Sequence, residues 1–112
     1  MTFNNYQTNA SRTAFYPRAE YKNQGLYYTT LGLVGEAGEI ANKVKKIIRD
    51  NDGNLEELSK TDIFYELGDV LWYCANIADE LGVNLGDVAK SNLNKLADRL
   101  NRGKIKGSGD NR

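Results

Sequence analysis

Apolar residues recur along the chain at the three- and four-residue spacing of amphipathic helices, and this pattern predicts four α-helices. The predicted segments are about 3–13, about 26–49, from Leu58 or Asp62 to Leu81, and 85–102. Thr2 is a typical cap for the first helix, which Pro17 keeps from extending further, and Asn84 is a typical cap for the fourth. The pattern therefore predicts an all-α chain.

The apolar stripes of the long segments are wide enough to pack on more than one neighbour. We predict an antiparallel four-helix bundle over residues 1–102, and stripes this wide would gain from being buried against a second copy of the chain, as in a homo-oligomer. Residues 103–112, called the tail below, contain three glycines and a serine and cannot continue the fourth helix. By composition the tail is typical of a disordered terminus.

Two acidic motifs of the same design occur in the second and third segments. Glu36-Ala-Gly-Glu39-Ile and Glu66-Leu-Gly-Asp69-Val both read acid, aliphatic, glycine, acid, aliphatic. Residues three apart on a helix are neighbours, so each motif places two carboxylates side by side at the edge of an apolar stripe. If the two stripes pack together, four carboxylates meet at one seam.

Such a cluster of like charges is unfavourable unless a cation lies among the carboxylates. The glycine within each motif supports a close approach, because glycine inside a helix costs about 1 kcal/mol relative to alanine. Oxygen ligands without nitrogen or sulfur suit a hard cation, so we expect Mg²⁺, with Mn²⁺ as a possible substitute, shared with substrate phosphates. The alternative is that the acids only solubilise exposed helix faces.

The composition excludes several other kinds of catalytic site, metal site and partner. The 112 residues hold 15 basic and 15 acidic side chains, one cysteine and no histidine. A balanced charge gives no overall field to attract nucleic acid or an anionic membrane, so we expect neither as a partner. The absence of histidine excludes Ser-His and Cys-His catalysis and imidazole metal sites. Met1 is followed by polar residues rather than an apolar leader, so a cytoplasmic location is expected.

Polar residues within the apolar faces are candidates for substrate binding. Asn92 and Arg99 interrupt the fourth stripe and Lys95 lies at its edge; the alternatives are a satisfied buried amide and snorkelling side chains. Lys43 lies on the acidic side of its helix, where it can pair with the acids or neutralise phosphate.

Base recognition is the least determined part of the candidate site. Tyr6 and Gln7 of the first helix offer an aromatic face and an amide, which are groups that stack on a base or bind its edge. The tyrosines fit a core or a subunit interface equally well.

The motifs resemble a known family. Glu36-Ala-Gly-Glu39 followed by Glu66-Leu-Gly-Asp69 is similar to the Glu-x-x-Glu, spacer, Glu-x-x-Asp signature of the MazG-like all-α nucleoside triphosphate pyrophosphohydrolases. The later Asn92-Leu-Asn-Lys95 is similar to the Asn-x-x-Lys element of their relatives, which include dimeric dUTPases. The resemblance extends over about residues 25–112. It is to the compact single-domain versions from bacteria or phages, and it implies a homodimer or homotetramer.

The resemblance implies Mg²⁺-dependent hydrolysis of nucleoside triphosphates to a monophosphate and pyrophosphate. Glu36, Glu39, Glu66 and Asp69 would then be the metal ligands and catalytic residues, and one of the first pair would also orient or deprotonate the attacking water. Asn92 and Lys95 would contact phosphate or sugar, and Arg99 is a further candidate for phosphate.

Similar C-terminal endings in small MazG-like proteins give a second interpretation of the tail, as a lid in which Arg112 folds over bound phosphate. Two other functions stay open at this point. One is a non-catalytic module that senses a nucleotide and metal, and the other is a structural dimerisation bundle.

Overall fold

The computed structural model describes residues 1–54, 56 and 60–112, and in these residues it contains four α-helices and no strand. The helices are α1 (Phe3–Ser11), α2 (Gln24–Asp50), α3 (Lys60–Leu81) and α4 (Leu85–Asn101). The all-α prediction is confirmed. Leu58, one of the two predicted starts of the third helix, lies outside the described residues.

The start of α1 follows from a local capping box. Thr2 Oγ1 accepts a hydrogen bond from the backbone N–H of Asn5 at 3.0 Å, and Asn5 Oδ1 accepts one from the backbone N–H of Thr2 at 3.3 Å. This reciprocal pair satisfies two amides that have no partner inside the helix. The helix ends at Ser11, about two residues earlier than the spacing predicted.

The start of α4 is capped by another helix rather than by its own Asn84. Asn84 occupies the cap position, but its side chain makes no capping bond. The backbone N–H of Leu85 donates instead to Gln7 Oε1 at 2.7 Å, and that of Gly86 donates to Asn4 Oδ1 at 2.9 Å. Two amides of α1 therefore fix where α4 begins.

α2 and α3 form an antiparallel pair. Gly25 lies against Glu80, Gly32 lies against Tyr73, and Lys43 contacts Glu66, so positions rise along one helix as they fall along the other. α1 packs across α3 and α4, and α4 also touches α3. Among the described residues no Cα atoms of α2 and α4 lie within 8 Å of each other, although Leu33 of α2 lines one apolar cavity with Leu85 and Val88 of α4. The four-helix bundle stays a prediction.

The core of the single chain is small. Ala10, Ala75, Ala78 and Leu85 are buried together, with Tyr6 and Trp72 packed against them. The radius of gyration is 17.2 Å, compared with about 13 Å for a compact domain of this length. Many large apolar side chains of the described residues are exposed; on the three long helices they include Leu31, Val34, Ile48, Phe64, Leu67, Leu71, Val88, Leu93 and Leu100. None of the helices, over their described residues, is long and apolar enough to cross a bilayer.

Candidate metal and phosphate site

Three carboxylates of the two acidic motifs meet where α2 faces α3. Glu36 of α2 and the pair Glu66 and Asp69 of α3 each offer an oxygen, and these oxygens lie within 4.8 Å of one another. The spacing of three places Glu66 beside Asp69 on one helix, and the antiparallel packing brings Glu36 to them. We call these three residues the acid cluster.

Glu39 lies one turn beyond the acid cluster. It is the fourth carboxylate of the two motifs, and the described geometry does not place it within the same 4.8 Å group. Its side chain is exposed. Its charge nevertheless reaches the cluster, because it contributes to the raised pKa of Glu36.

The electrostatics of the acid cluster are those of crowded like charges beside one lysine. Burial raises the pKa of Glu36, and the charges of Asp69, Glu66 and Glu39 raise it further. Lys43 Nζ lies 2.9 Å from Glu66 Oε1, and this contact lowers the pKa of Glu66 and raises that of Lys43. One ammonium balances only part of the charge of these carboxylates. A donor set made only of carboxylate oxygens fits a hard divalent cation.

Lys43 is held in place by a second contact. Its ammonium also donates to the backbone carbonyl of Asp62 at 3.1 Å. The sequence leaves two roles open for Lys43, which are pairing with the acids and neutralising phosphate. In the structure Lys43 pairs with Glu66 of the acid cluster.

Two tyrosines border the acid cluster. Burial raises the pKa of Tyr6, and the charge of Asp69 raises it further. Burial also raises the pKa of Tyr73, with contributions from Tyr28 and from Glu36. Sequence reasoning did not select Tyr73, although a signal was present: it follows Asp69 by four residues and therefore shares its helix face.

The glycines of the acidic motifs face open space. A Cβ atom added to Gly38 or Gly68 would meet no atom within 4 Å, whereas one added to Gly32 would collide with the Tyr73 ring. Close packing against Tyr73 therefore explains why residue 32 is a glycine. For Gly38 and Gly68 the described residues supply no such reason.

The α4 candidates lie apart from the acid cluster. Asn92 and Lys95 line an open groove of about 480 Å³, which we call the α4 groove. Its other lining residues are Val83, Asp87, Val88 and Ser91. No residue of α2 lines it. One chain therefore does not bring the phosphate candidates of α4 to the acid cluster.

Arg99 is buried under the tail. Its Nη2 atom donates to the backbone carbonyl of Asp110 at 2.7 Å, and the Asp110 carboxylate lies 3.7 Å away. The same carboxylate oxygen lies 3.5 Å from Lys95 Nζ. Sequence reasoning missed Asp110, because nothing in its spacing shows that the tail folds back.

Arg112 binds the tail itself. Its guanidinium donates to the carbonyls of Gly109 at 2.7 Å, Ile105 at 3.1 Å and Lys104 at 3.2 Å. In the structure these contacts fold the tail back on itself. The disordered terminus and the lid both stay predictions.

Gln7 is occupied by structural contacts. Its Nε2 atom donates to Asp79 Oδ1 at 2.7 Å and to the Val83 carbonyl at 2.9 Å, while its Oε1 atom accepts from the Leu85 amide. The residue is buried. Both donors and the acceptor are thus engaged within the fold, which leaves little capacity for binding a base.

Comparisons with known proteins identify the family of the chain. The model of the MazG nucleotide pyrophosphohydrolase domain matches residues 24–103, a span that includes both acidic motifs. The chain is 57% identical over 109 residues to the "Gene 37 protein" of Mycobacterium phage L5, with 96% of each chain covered. It is 34% identical over 91 residues to the "Uncharacterized protein YvdC" of Bacillus subtilis (strain 168), with 77% of this chain and 86% of that protein covered.

No solved structure matches the chain significantly. The family match covers well over half of the residues, and both relatives align over most of their own length. The chain therefore belongs to the MazG nucleotide pyrophosphohydrolase domain family.

Proposed function

We propose that the protein hydrolyses nucleoside triphosphates between the α and β phosphates, which releases a nucleoside monophosphate and pyrophosphate. The observation that carries this proposal is the family match over residues 24–103, because it spans all four acids of the two motifs. The convergence of three of those acids gives the match a physical counterpart.

The acid cluster is the proposed metal site. Glu36, Glu66 and Asp69 would hold Mg²⁺, or Mn²⁺ in its place, with Glu39 as a further ligand or as the group that orients the attacking water. When bound, the metal neutralises phosphate charge and polarises a phosphoryl oxygen. Of the chain's own acids, Glu36 or Glu39 would orient the attacking water and accept its proton.

A second subunit is part of the proposal. In one chain the α4 groove, with Asn92 and Lys95, is lined by no residue of the acid cluster. Large apolar side chains on α2, α3 and α4 are exposed, and such surfaces usually pack against another protein. We therefore propose a homodimer or homotetramer in which the α4 groove of one subunit faces the acid cluster of another.

The test is release of pyrophosphate from a panel of deoxyribonucleoside and ribonucleoside triphosphates, with and without Mg²⁺. We expect release only with a divalent metal, and a loss of at least about a hundredfold in Asp69→Asn. Asp50→Asn is the matched control, because Asp50, within the part of the chain that the structure describes, forms its ion pair with its neighbour Arg49 on the surface. We expect the control to keep full activity.

Other results would assign another function. Nucleotide binding without turnover in the presence of Mg²⁺ would contradict hydrolysis and indicate a sensor module. Neither binding nor turnover would leave a structural role for the helices.

A further inference from the structure

A carboxylate of the tail lies between two cations of α4. Asp110 Oδ1 is 3.5 Å from Lys95 Nζ and 3.7 Å from Arg99 Nη2. Lys95 also lines the α4 groove, so this carboxylate contacts a residue of the groove. A negative group thus already lies where two candidate phosphate ligands converge.

Hydrogen bonds within the tail and two glycines hold the Asp110 carboxylate in this position. Arg112 donates to tail carbonyls through Nε and both Nη atoms, and Arg102 Nη2 donates to the carbonyl of Arg112 at 2.7 Å. Gly107 and Gly109 have φ values of +119° and +85°, which residues with a side chain rarely adopt. These contacts give the tail a defined turn that ends on α4.

The two side chains of the contact between Arg99 and Asp110 differ in their exposure to solvent. The Arg99 side chain is 6% exposed, whereas the Asp110 side chain is 88% exposed. Ion pairs that water can reach are weak, and at 3.5–3.7 Å this one is also loose. A phosphate group carries more charge and more acceptor oxygens than a carboxylate, so it binds a guanidinium and an ammonium better. Lys95 is therefore paired with an anion that a polyphosphate is able to replace. Arg99 donates to the backbone carbonyl of Asp110 at 2.7 Å and lies 3.7 Å from the same anion.

We propose that Asp110 is an internal competitor for phosphate. In the free protein its carboxylate occupies the Lys95 and Arg99 pair, and a bound polyphosphate displaces it from them. The tail then acts as an autoinhibitory contact that weakens substrate binding. This inference rests on the proposed function only in that Lys95 receives the substrate's phosphates, and it adds Arg99 to that role.

The test is a calorimetric titration of the full chain with inorganic tripolyphosphate, without metal and at low ionic strength. Asp110→Asn keeps the size of the side chain and removes its charge, so we expect it to bind about threefold more tightly than the unmodified protein. Asp98→Asn is the matched control, because Asp98 is an acid at the same end of α4 that, among the described residues, forms its ion pair with Arg102 rather than with Lys95 or Arg99. It removes the same charge, and we expect its affinity to stay within about twofold of the unmodified protein.

Three results would overturn the inference. The first is an Asp110→Asn affinity equal to that of Asp98→Asn, which would make the effect one of net charge. The second is weaker binding in Asp110→Asn, as expected for a lid that folds over phosphate. The third is no tripolyphosphate binding by any variant.

A double-mutant cycle locates the effect. In a Lys95→Gln background, the gain from Asp110→Asn must shrink, because one of the two competed cations is gone. An undiminished gain would contradict competition at this pair.

Hydrolysis measured on the same variants separates this inference from the proposed function. If no triphosphate is hydrolysed but Asp110→Asn still binds tripolyphosphate more tightly, the enzymatic proposal fails and the competition stands. If hydrolysis occurs but Asp110→Asn matches Asp98→Asn, the reverse holds. Circular dichroism spectra check that every variant keeps its helix content.

Discussion

The glycines of α2 differ in what a side chain at each position would meet. Gly32 lies under the Tyr73 ring, and a Cβ there would overlap the ring atoms. Gly38 faces open space within the chain. In both places glycine costs helix stability relative to alanine, but only at Gly32 does packing within the chain offset that cost.

Substitution by alanine should therefore have opposite effects at the two positions. We expect Gly32→Ala to lower the free energy of unfolding by about 1–2 kcal/mol, because the ring must shift in a packed interface. Gly38→Ala should raise it by about 0.5–1 kcal/mol through helix propensity. Urea unfolding at one fixed protein concentration measures both. Loss of stability in Gly38→Ala would show that something in solution already packs there.

Tyr16 lies in the loop after α1 and is the centre of a polar and aromatic contact between this loop and helices α2 and α3. Its ring stacks on Tyr28 at 5.1 Å, and Arg18 lies 4.4 Å from its centroid. Its hydroxyl donates to Glu80 Oε1 at 2.5 Å. Burial raises the pKa of Tyr16, and the hydrogen bond to Glu80 raises it further.

This raised pKa predicts a loss of stability at alkaline pH. A phenol whose pKa is higher in the folded protein than in the unfolded chain stabilises the fold fully below the unfolded value of about 10. That contribution is lost as the pH rises above it, because the unfolded chain ionises first. We expect the unfolding free energy of the unmodified protein to fall more steeply from pH 9 to 11 than that of Tyr16→Phe. Parallel declines in urea unfolding would contradict the assignment.

At the scale of elements, the position of α4 depends on α1. Gln7 accepts from the Leu85 amide and donates to the Val83 carbonyl, so its side chain joins α1 to the turn before α4 and to the first residue of that helix. Removing it leaves buried backbone groups without partners, each of which costs about 1–3 kcal/mol.

We expect Gln7→Ala to lower the unfolding free energy by about 2–3 kcal/mol. Asn9→Ala is the matched control, because Asn9 is exposed and bonds only to the carbonyl of Asn5 in its own helix; its change should stay within about 0.5 kcal/mol. Thermal or urea unfolding provides the measurement. If Gln7→Ala keeps full stability and instead changes which nucleotide is preferred, Gln7 is a base ligand rather than a cap.

The helix ends show which elements a sequence can predict. The cap at Thr2 was predictable and is confirmed, because Thr2 and Asn5 are three residues apart and need no other part of the fold. The interhelical cap at Leu85 was not predictable, because its acceptor Gln7 is 78 residues away. The Asn84 prediction gave the right position and the wrong hydrogen bond.

At the scale of the molecule, the apolar surface of one chain is only partly covered. Leu67 is 57% exposed and lines an apolar groove of about 480 Å³ with Phe64 and Leu71. In the described residues, these side chains have no cover from α4, which packs elsewhere. The proposed homo-oligomer would bury them.

We expect Leu67→Arg to shift the protein to a smaller species in sedimentation velocity experiments, with loss of hydrolysis if two subunits form the site. Phe15→Arg is the control, because Phe15 is 89% exposed in the loop after α1. It should sediment like the unmodified protein. A monomeric unmodified protein would refute the proposed assembly.

Some parts of the candidate site could be predicted from the sequence, and other parts could not. The convergence of Glu36 with Glu66 and Asp69 follows from helix spacing plus the packing of two stripes, both of which are encoded locally. The placement of Asn92 and Lys95 depends on how α4 is oriented, and that orientation follows from contacts of α1 that no spacing shows. The folded tail depends likewise on carbonyl contacts of Arg99 and Arg112.

Trp72 is the only tryptophan of the chain, and it lies on α3 against α1. Its indole N–H donates to Thr13 Oγ1 at 2.8 Å, just beyond the end of α1. Detachment of α1 would expose the indole to water and shift its fluorescence emission to longer wavelength. The three long helices would keep most of the ellipticity measured by circular dichroism. The protein thus carries a built-in optical probe for the docking of its shortest helix, and no label is needed.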